Sequence, residues 1–216
     1  MKPFRLVQRG ALPDDTVGAP PVRAYAAMMT RTERTVLGQV VADVQALLVP
    51  DLPVATTSYD DPLWLSTGGL SAGDVLPPDD PAVARLLPDA SRDDPDVAAE
   101  FRRLTQEDLR ATKVAGLRGL AQRLDRTPPG FDTDAVVVSL DEAPRTAAAL
   151  TDVRLVLAER LGLRTDADAE ALARELAHPR SADRPRRGLG DLYEALTWWQ
   201  ETLVRAMTDH LPDTDG

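Results

Sequence analysis

The side chains of this 216-residue chain that could do chemistry are few and scattered. The two histidines, His178 and His210, flank helix ends, neither has a second ligand at metal-site spacing, and no H-E-x-x-H is present. The stretch "STGGLSAGD" (66–74) has glycines, but it lacks the Lys-Ser/Thr pair and the preceding strand of a phosphate-binding loop. Asp and Glu number 35 and are spread throughout, so choosing two of them as acid and base would be arbitrary. Cysteine is absent, which excludes disulfides, thiolate metal ligands and thiol nucleophiles. The chain reads as a non-enzymatic protein with no cofactor and no metal.

Two cations occupy unusual positions. Lys113 is the one internal lysine. Leu109, Leu117, Leu120 and Leu124 share a helical face, and Lys113 lies in the middle of it. Farther on, Leu150, Val153, Leu157 and Leu161 form a second apolar face with Arg154 at its edge. Burying a cation without a partner costs on the order of several kcal/mol, so carboxylates or carbonyls must meet these two. Asp108, Asp152 and Glu201 are the expected partners. The arrangement reads as a structural ion-pair network, or as stems that carry their charges out to water. The other reading is a cation pocket for an anionic ligand.

The adjacent tryptophans of "DLYEALTWWQETLVRAM" (191–207) pose a second question. Successive helix residues are about 100° apart, so the two rings cannot share a face. Leu192, Leu196, Trp199, Leu203 and Met207 align as a core stripe, which leaves Trp198 outside among Glu194, Glu201 and Arg205. Either another segment folds over Trp198, or this face is a partner or homodimer surface, since tryptophan and arginine dominate interface energetics.

Charge narrows the classes of partner. The formal net charge is -10, and residues 51–100 hold 11 acidic side chains against 2 arginines. Such a surface repels nucleic acid at long range and suits a basic protein. The local basic cluster is "RSADRPRR", with Arg180, Arg184, Arg186 and Arg187, where a flexible loop would contact phosphates if DNA were bound. "LTQEDLRATKVAGLRGLAQRL" (104–124) has a faint look of a helix-turn-helix, yet its periodicity runs on without breaker residues. No apolar run reaches the roughly 20 residues of a membrane span, and the start lacks a signal-peptide core. A cytoplasmic location is expected.

The elements that must position these residues are mainly helical. "FRLVQ" and "VRAYAAMM" read as a β-hairpin, and "AVVVSL" (135–140) as a strand that joins it. Thr30 with Glu33 forms a capping box for a helix closed by Pro50, and Asp80-Pro81 starts a short one. Another helix begins near Pro95 with Val97, Phe101 and Leu104 on one side. "TQED" (105–108) reads as a second cap, predicting a break or bend there. Helices follow over about 141–163 and from Thr165/Asp166 to "HPR", and Asp191 with Glu194 reads as the cap of the last one. The expected class is mainly α (α+β): a helical bundle with a small antiparallel sheet from the N-terminal hairpin and one later strand. A single domain spans 1–212, with an acidic Pro/Gly-rich loop at about 50–80, pinned around Trp64, and a disordered tail at 213–216.

Three blocks, "DPAVARLLPDASRDDPDVAAEFRRLTQEDLRATKVAGL", "LTDVRLVLAERLGL" and "LYEALTWWQETLVRAM", resemble in order and spacing an actinobacterial family named for AosR, the actinomycete oxidative-stress regulator. That family was long carried as a domain of unknown function, and its members commonly lie beside the gene for the proteolytic adaptor ClpS. The resemblance implies a transcription-associated regulator acting through a protein partner such as RNA polymerase or a sigma factor, or else through DNA. A structural or scaffold role is the remaining reading. Direct oxidant sensing normally uses thiols, and this chain has none.

Overall fold

The computed structural model describes residues 1–9, 22–49, 77–91, 93–178 and 183–210. The hairpin connection, most of the acidic loop including Trp64, Arg180 and the 213–216 tail lie outside the described residues.

Two strands open the fold, β1 (Arg5–Arg9) and β2 (Val22–Met28), paired antiparallel from Arg5↔Ala26 to Arg9↔Val22. β3 (Ala135–Ser139) pairs with the other edge of β2, Tyr25 opposite Val138 and Ala27 opposite Val136, so the sheet order is β1-β2-β3. Alternation along the strands sorts their side chains. Tyr25, Ala27, Val136 and Val138 enter the main core, while Ala24, Ala135 and Val137 form a small cluster on the opposite face with Phe131 against it.

Helix α1 (Arg31–Leu48) starts at the Thr30–Glu33 capping box and buries Leu37, Val41, Val44 and Leu48. Helix α2 (Pro81–Leu86) is capped by Asp80, whose carboxylate also takes two hydrogen bonds from Arg160, at 3.1 and 2.5 Å. Helix α3 (Pro95–Asp125) runs 31 residues without interruption, about 46 Å at 1.5 Å per residue. The break expected at Thr105 does not occur. The Thr105 hydroxyl donates back to the Phe101 carbonyl at 2.8 Å and stays within the helix, and the true cap is Asp94 ahead of Pro95.

Helix α4 (Ala143–Leu161) is the central element, packed against α2, α3 and α6. It ends at Gly162, whose φ of 76° is left-handed and costs glycine nothing. Helix α5 (Asp166–Leu176) begins at a Thr165–Asp168 capping box. Helix α6 (Arg184–Thr208) begins earlier than expected, because Asp183 rather than Asp191 is its cap, accepting from the Arg186 N–H at 3.0 Å. Pro185 sits in the first turn, where its missing N–H costs nothing. Gly190 lets α5 approach: a Cβ there would lie 3.1 Å from the side chains of both Leu172 and Leu176.

Candidate functional site

Helix α6 settles where each tryptophan points. Trp199 is fully buried with Leu196 and Leu203, and its ring lies 4.7 Å from Phe4, tilted by 30°. The hairpin is tied to the same spot by the Phe4 N–H, which donates to the Thr202 hydroxyl at 3.1 Å. Trp198 is 43% exposed, and Glu194, Glu201 and Arg205 are exposed on the same outer face. Leu192 and Met207, at the ends of the stripe, are half-buried.

A larger apolar feature lies on α3. Val97, Phe101 and Leu104 follow one another at i, i+4 and i+7, so they share one face, and they are 51%, 40% and 59% exposed. Ala98, on the inner side, is buried. The rim is acidic: Asp93, Asp94, Asp96, Glu100, Glu107 and Asp108 are all exposed. Arg103 is held by Glu100 through two bonds of 2.8 and 2.7 Å. Sequence periodicity singled out this stripe as one side of a helix but gave no sign that the side is uncovered. The density of carboxylates around it was the available clue.

The two odd cations reach different partners. Lys113 Nζ lies 2.6 Å from Asp152 Oδ1, joining α3 to α4, and the two side chains are 18% and 8% exposed. Burial pushes the Asp152 carboxyl above its ordinary value, and the Lys113 ammonium opposes that shift only in part. Arg154 finds neither Asp152 nor Glu201. Its Nε donates to the Thr197 hydroxyl at 3.0 Å and its Nη1 to Gln200 Oε1 at 2.7 Å, while its guanidinium carbon sits 5.5 Å from the centroid of the Tyr193 ring. Gln200 is fixed in turn by donating to the Ala147 carbonyl and to the Thr151 hydroxyl. The expected network of Lys113, Arg154, Asp108, Asp152 and Glu201 therefore reduces to one ion pair and one neutral cage. Helical angle explains it: Asp108 is five residues from Lys113, and Asp152 two from Arg154, so each pair diverges by well over 90°. Glu201 belongs to the outer face of α6.

The arginines at the start of α6 are largely committed to structure. Arg186 pairs with Glu175 at 3.2 Å and donates to the Leu161 carbonyl at 3.0 Å. Arg187 donates to the carbonyls of Leu176 and His178 at 2.8 and 3.2 Å, covering the acceptors that the end of α5 leaves open. Arg184 is exposed. Two of these arginines thus lock α5 to α6 rather than forming a free basic surface.

Among the described residues no group of three or more His, Asp or Glu side chains is placed to hold a metal ion. Nor is any described helix long and apolar enough to cross a membrane. A family model described as "Domain of unknown function (DUF2017)" matches residues 1–207. No curated protein and no solved structure matches the chain.

Proposed function

The chain belongs to the DUF2017 family, and on that footing we propose that it is a non-enzymatic, cytoplasmic regulatory protein that acts on transcription by binding a protein partner. The observation that carries this reading is the exposed row of Val97, Phe101 and Leu104 within an acidic rim. Large apolar side chains in a row, edged mainly by carboxylates, suit a helix whose own apolar face is edged by basic residues. Trp198 offers a second contact of the kind that dominates interface energetics. The resemblance to the actinomycete oxidative-stress regulators supports a transcriptional role, with RNA polymerase or a sigma factor as the partner. A chain without cysteine would discharge that role without thiol oxidation. Recognition of DNA through the 180–187 arginines draws little support from Arg186 and Arg187, which already serve helix carbonyls and Glu175.

The test is binding of the purified chain to purified RNA polymerase, with and without sigma factor, beside duplex DNA at low and moderate salt. The expected result is saturable binding to the protein probe that Phe101→Asp weakens by roughly tenfold or more, with the circular dichroism spectrum unchanged. Binding to DNA alone, weakening steeply with salt, would transfer the function to the arginines and overturn the proposal.

A further inference from the structure

We propose that the cleft between α4, the start of α5 and α6 binds a small phosphate-bearing anion, with Arg154 as the anchoring cation. The cleft has a volume of about 240 Å³, and Arg85, Arg154, Arg164 and Tyr193 contribute to its walls. Within a chain of net charge -10, three guanidinium groups on one small cleft run against the overall field.

Arg154 carries the argument. Its contacts are Thr197, Gln200 and the Tyr193 ring, all neutral, and among the described residues no carboxylate pairs with it. A half-buried cation is normally met by a counter-charge, because the attraction to one offsets the lost hydration. Here the guanidinium is oriented by dipoles and a ring face while its charge stays unmatched. Of its five N–H donors, two are spent on Thr197 and Gln200, which leaves the fork able to take an oxyanion.

The neighbours reinforce this. Arg85 and Arg164 share a single carboxylate, that of Glu159, at 2.9 and 3.2 Å. Asp166 also lines the cleft, so among the described residues its three guanidinium groups meet two carboxylates, and one unit of positive charge is left over. The Arg164 side chain is 71% exposed, so it can turn from Glu159 to a ligand without disturbing the core. A phosphate group, with a charge of about -1.5 to -2 and three acceptor oxygens, matches two guanidinium forks better than a two-oxygen carboxylate does. Size restricts the rest of the ligand. The cleft is smaller than the roughly 300–1,000 Å³ of drug-sized sites, so it accommodates the headgroup and a small organic stub rather than a nucleotide.

Calorimetric titration of the full chain with inorganic phosphate and with phenyl phosphate, at constant ionic strength set by chloride, tests the assignment. The expected result is saturable one-to-one binding, weakened by roughly tenfold or more in Arg154→Gln and in Arg164→Gln. Tighter binding of phenyl phosphate identifies a monoester ligand stacked near Tyr193, and equal binding identifies free phosphate; both support the site. If Arg154→Gln does not fold, the exposed Arg164→Gln decides alone. Absence of saturable heat with both probes, or affinity unchanged in every variant that folds, overturns the proposal.

Discussion

Replacing Lys113 by methionine should destabilise the protein more than replacing Asp152 by asparagine, although both changes break the same ion pair. The asymmetry follows from exposure. Lys113→Met leaves a carboxylate whose side chain is 8% exposed, on a short stem that cannot reach water. Asp152→Asn leaves an ammonium that is 18% exposed, on a four-carbon stem that can carry it outward. Removing one partner of a buried pair costs about 3–5 kcal/mol. We therefore expect about 3–4 kcal/mol for Lys113→Met and about 1–2 kcal/mol for Asp152→Asn, the outward reach of lysine taking the second below the usual range. For a chain of this size the larger loss lowers Tm by roughly 10 °C. The double change Lys113→Met with Asp152→Leu should return to within about 1 kcal/mol of wild type, because well-packed apolar residues replace a buried pair without loss.

The same pair makes a pH prediction of definite sign. Burial raises the folded-state pKa of Asp152 above its unfolded value. The native state therefore holds this proton more tightly than the unfolded chain, and the stability so gained is present at low pH and lost as pH rises through the raised value. Without the opposing ammonium the rise is larger, so Lys113→Met should lose more stability relative to wild type at about pH 8 than at about pH 5. Urea unfolding followed by circular dichroism at both pH values measures this. Equal costs for the two single changes, with no difference between the two pH values, would refute the claim that Asp152 is desolvated.

Two further outcomes follow from the geometry. Trp199→Ala should cost about 3–5 kcal/mol in urea unfolding, as a fully buried aromatic removed from a packed core, while Trp198→Ala should stay within about 1 kcal/mol and retain the native spectrum. Gly162→Ala should lower stability by about 1–2 kcal/mol, measurable as a Tm shift, through backbone strain, since φ is 76° and among the described residues nothing lies within 4 Å of the added carbon.

Much of this fold is written in local residue choices. Thr30 with Glu33 and Thr165 ahead of its helix each make the cap their types suggest, and the valines at 136–138 form the strand expected of them. Thr105 carries the same signature but follows a run of good helix formers with no breaker, so the carbonyl one turn back claims its hydroxyl. "PRSADRPRRGLG" misleads in the opposite direction. Its prolines and glycines suggest a connection, yet Pro185 occupies the first turn of α6 and Gly190 is small because α5 packs there. The candidate surface was half legible. Periodicity placed Val97, Phe101 and Leu104 on one face, but a one-dimensional pattern does not distinguish a face covered by the rest of the chain from one left for another molecule. The cage around Arg154 was not legible, because its partners Thr197 and Gln200 lie more than 40 residues away and carry no charge to advertise the pairing.

The opposed tryptophans give the molecule two optical reporters one residue apart. The indole of Trp199, fully buried with its ring 4.7 Å from that of Phe4, should emit at short wavelength and resist collisional quenchers. The indole of Trp198, 43% exposed on the face of Glu194 and Glu201, should emit farther to the red and be open to a neutral quencher such as acrylamide. With Trp64 changed to phenylalanine, a single emission spectrum separates detachment of the hairpin from α6, which alters the blue component, from occupation of the outer face, which alters the red one.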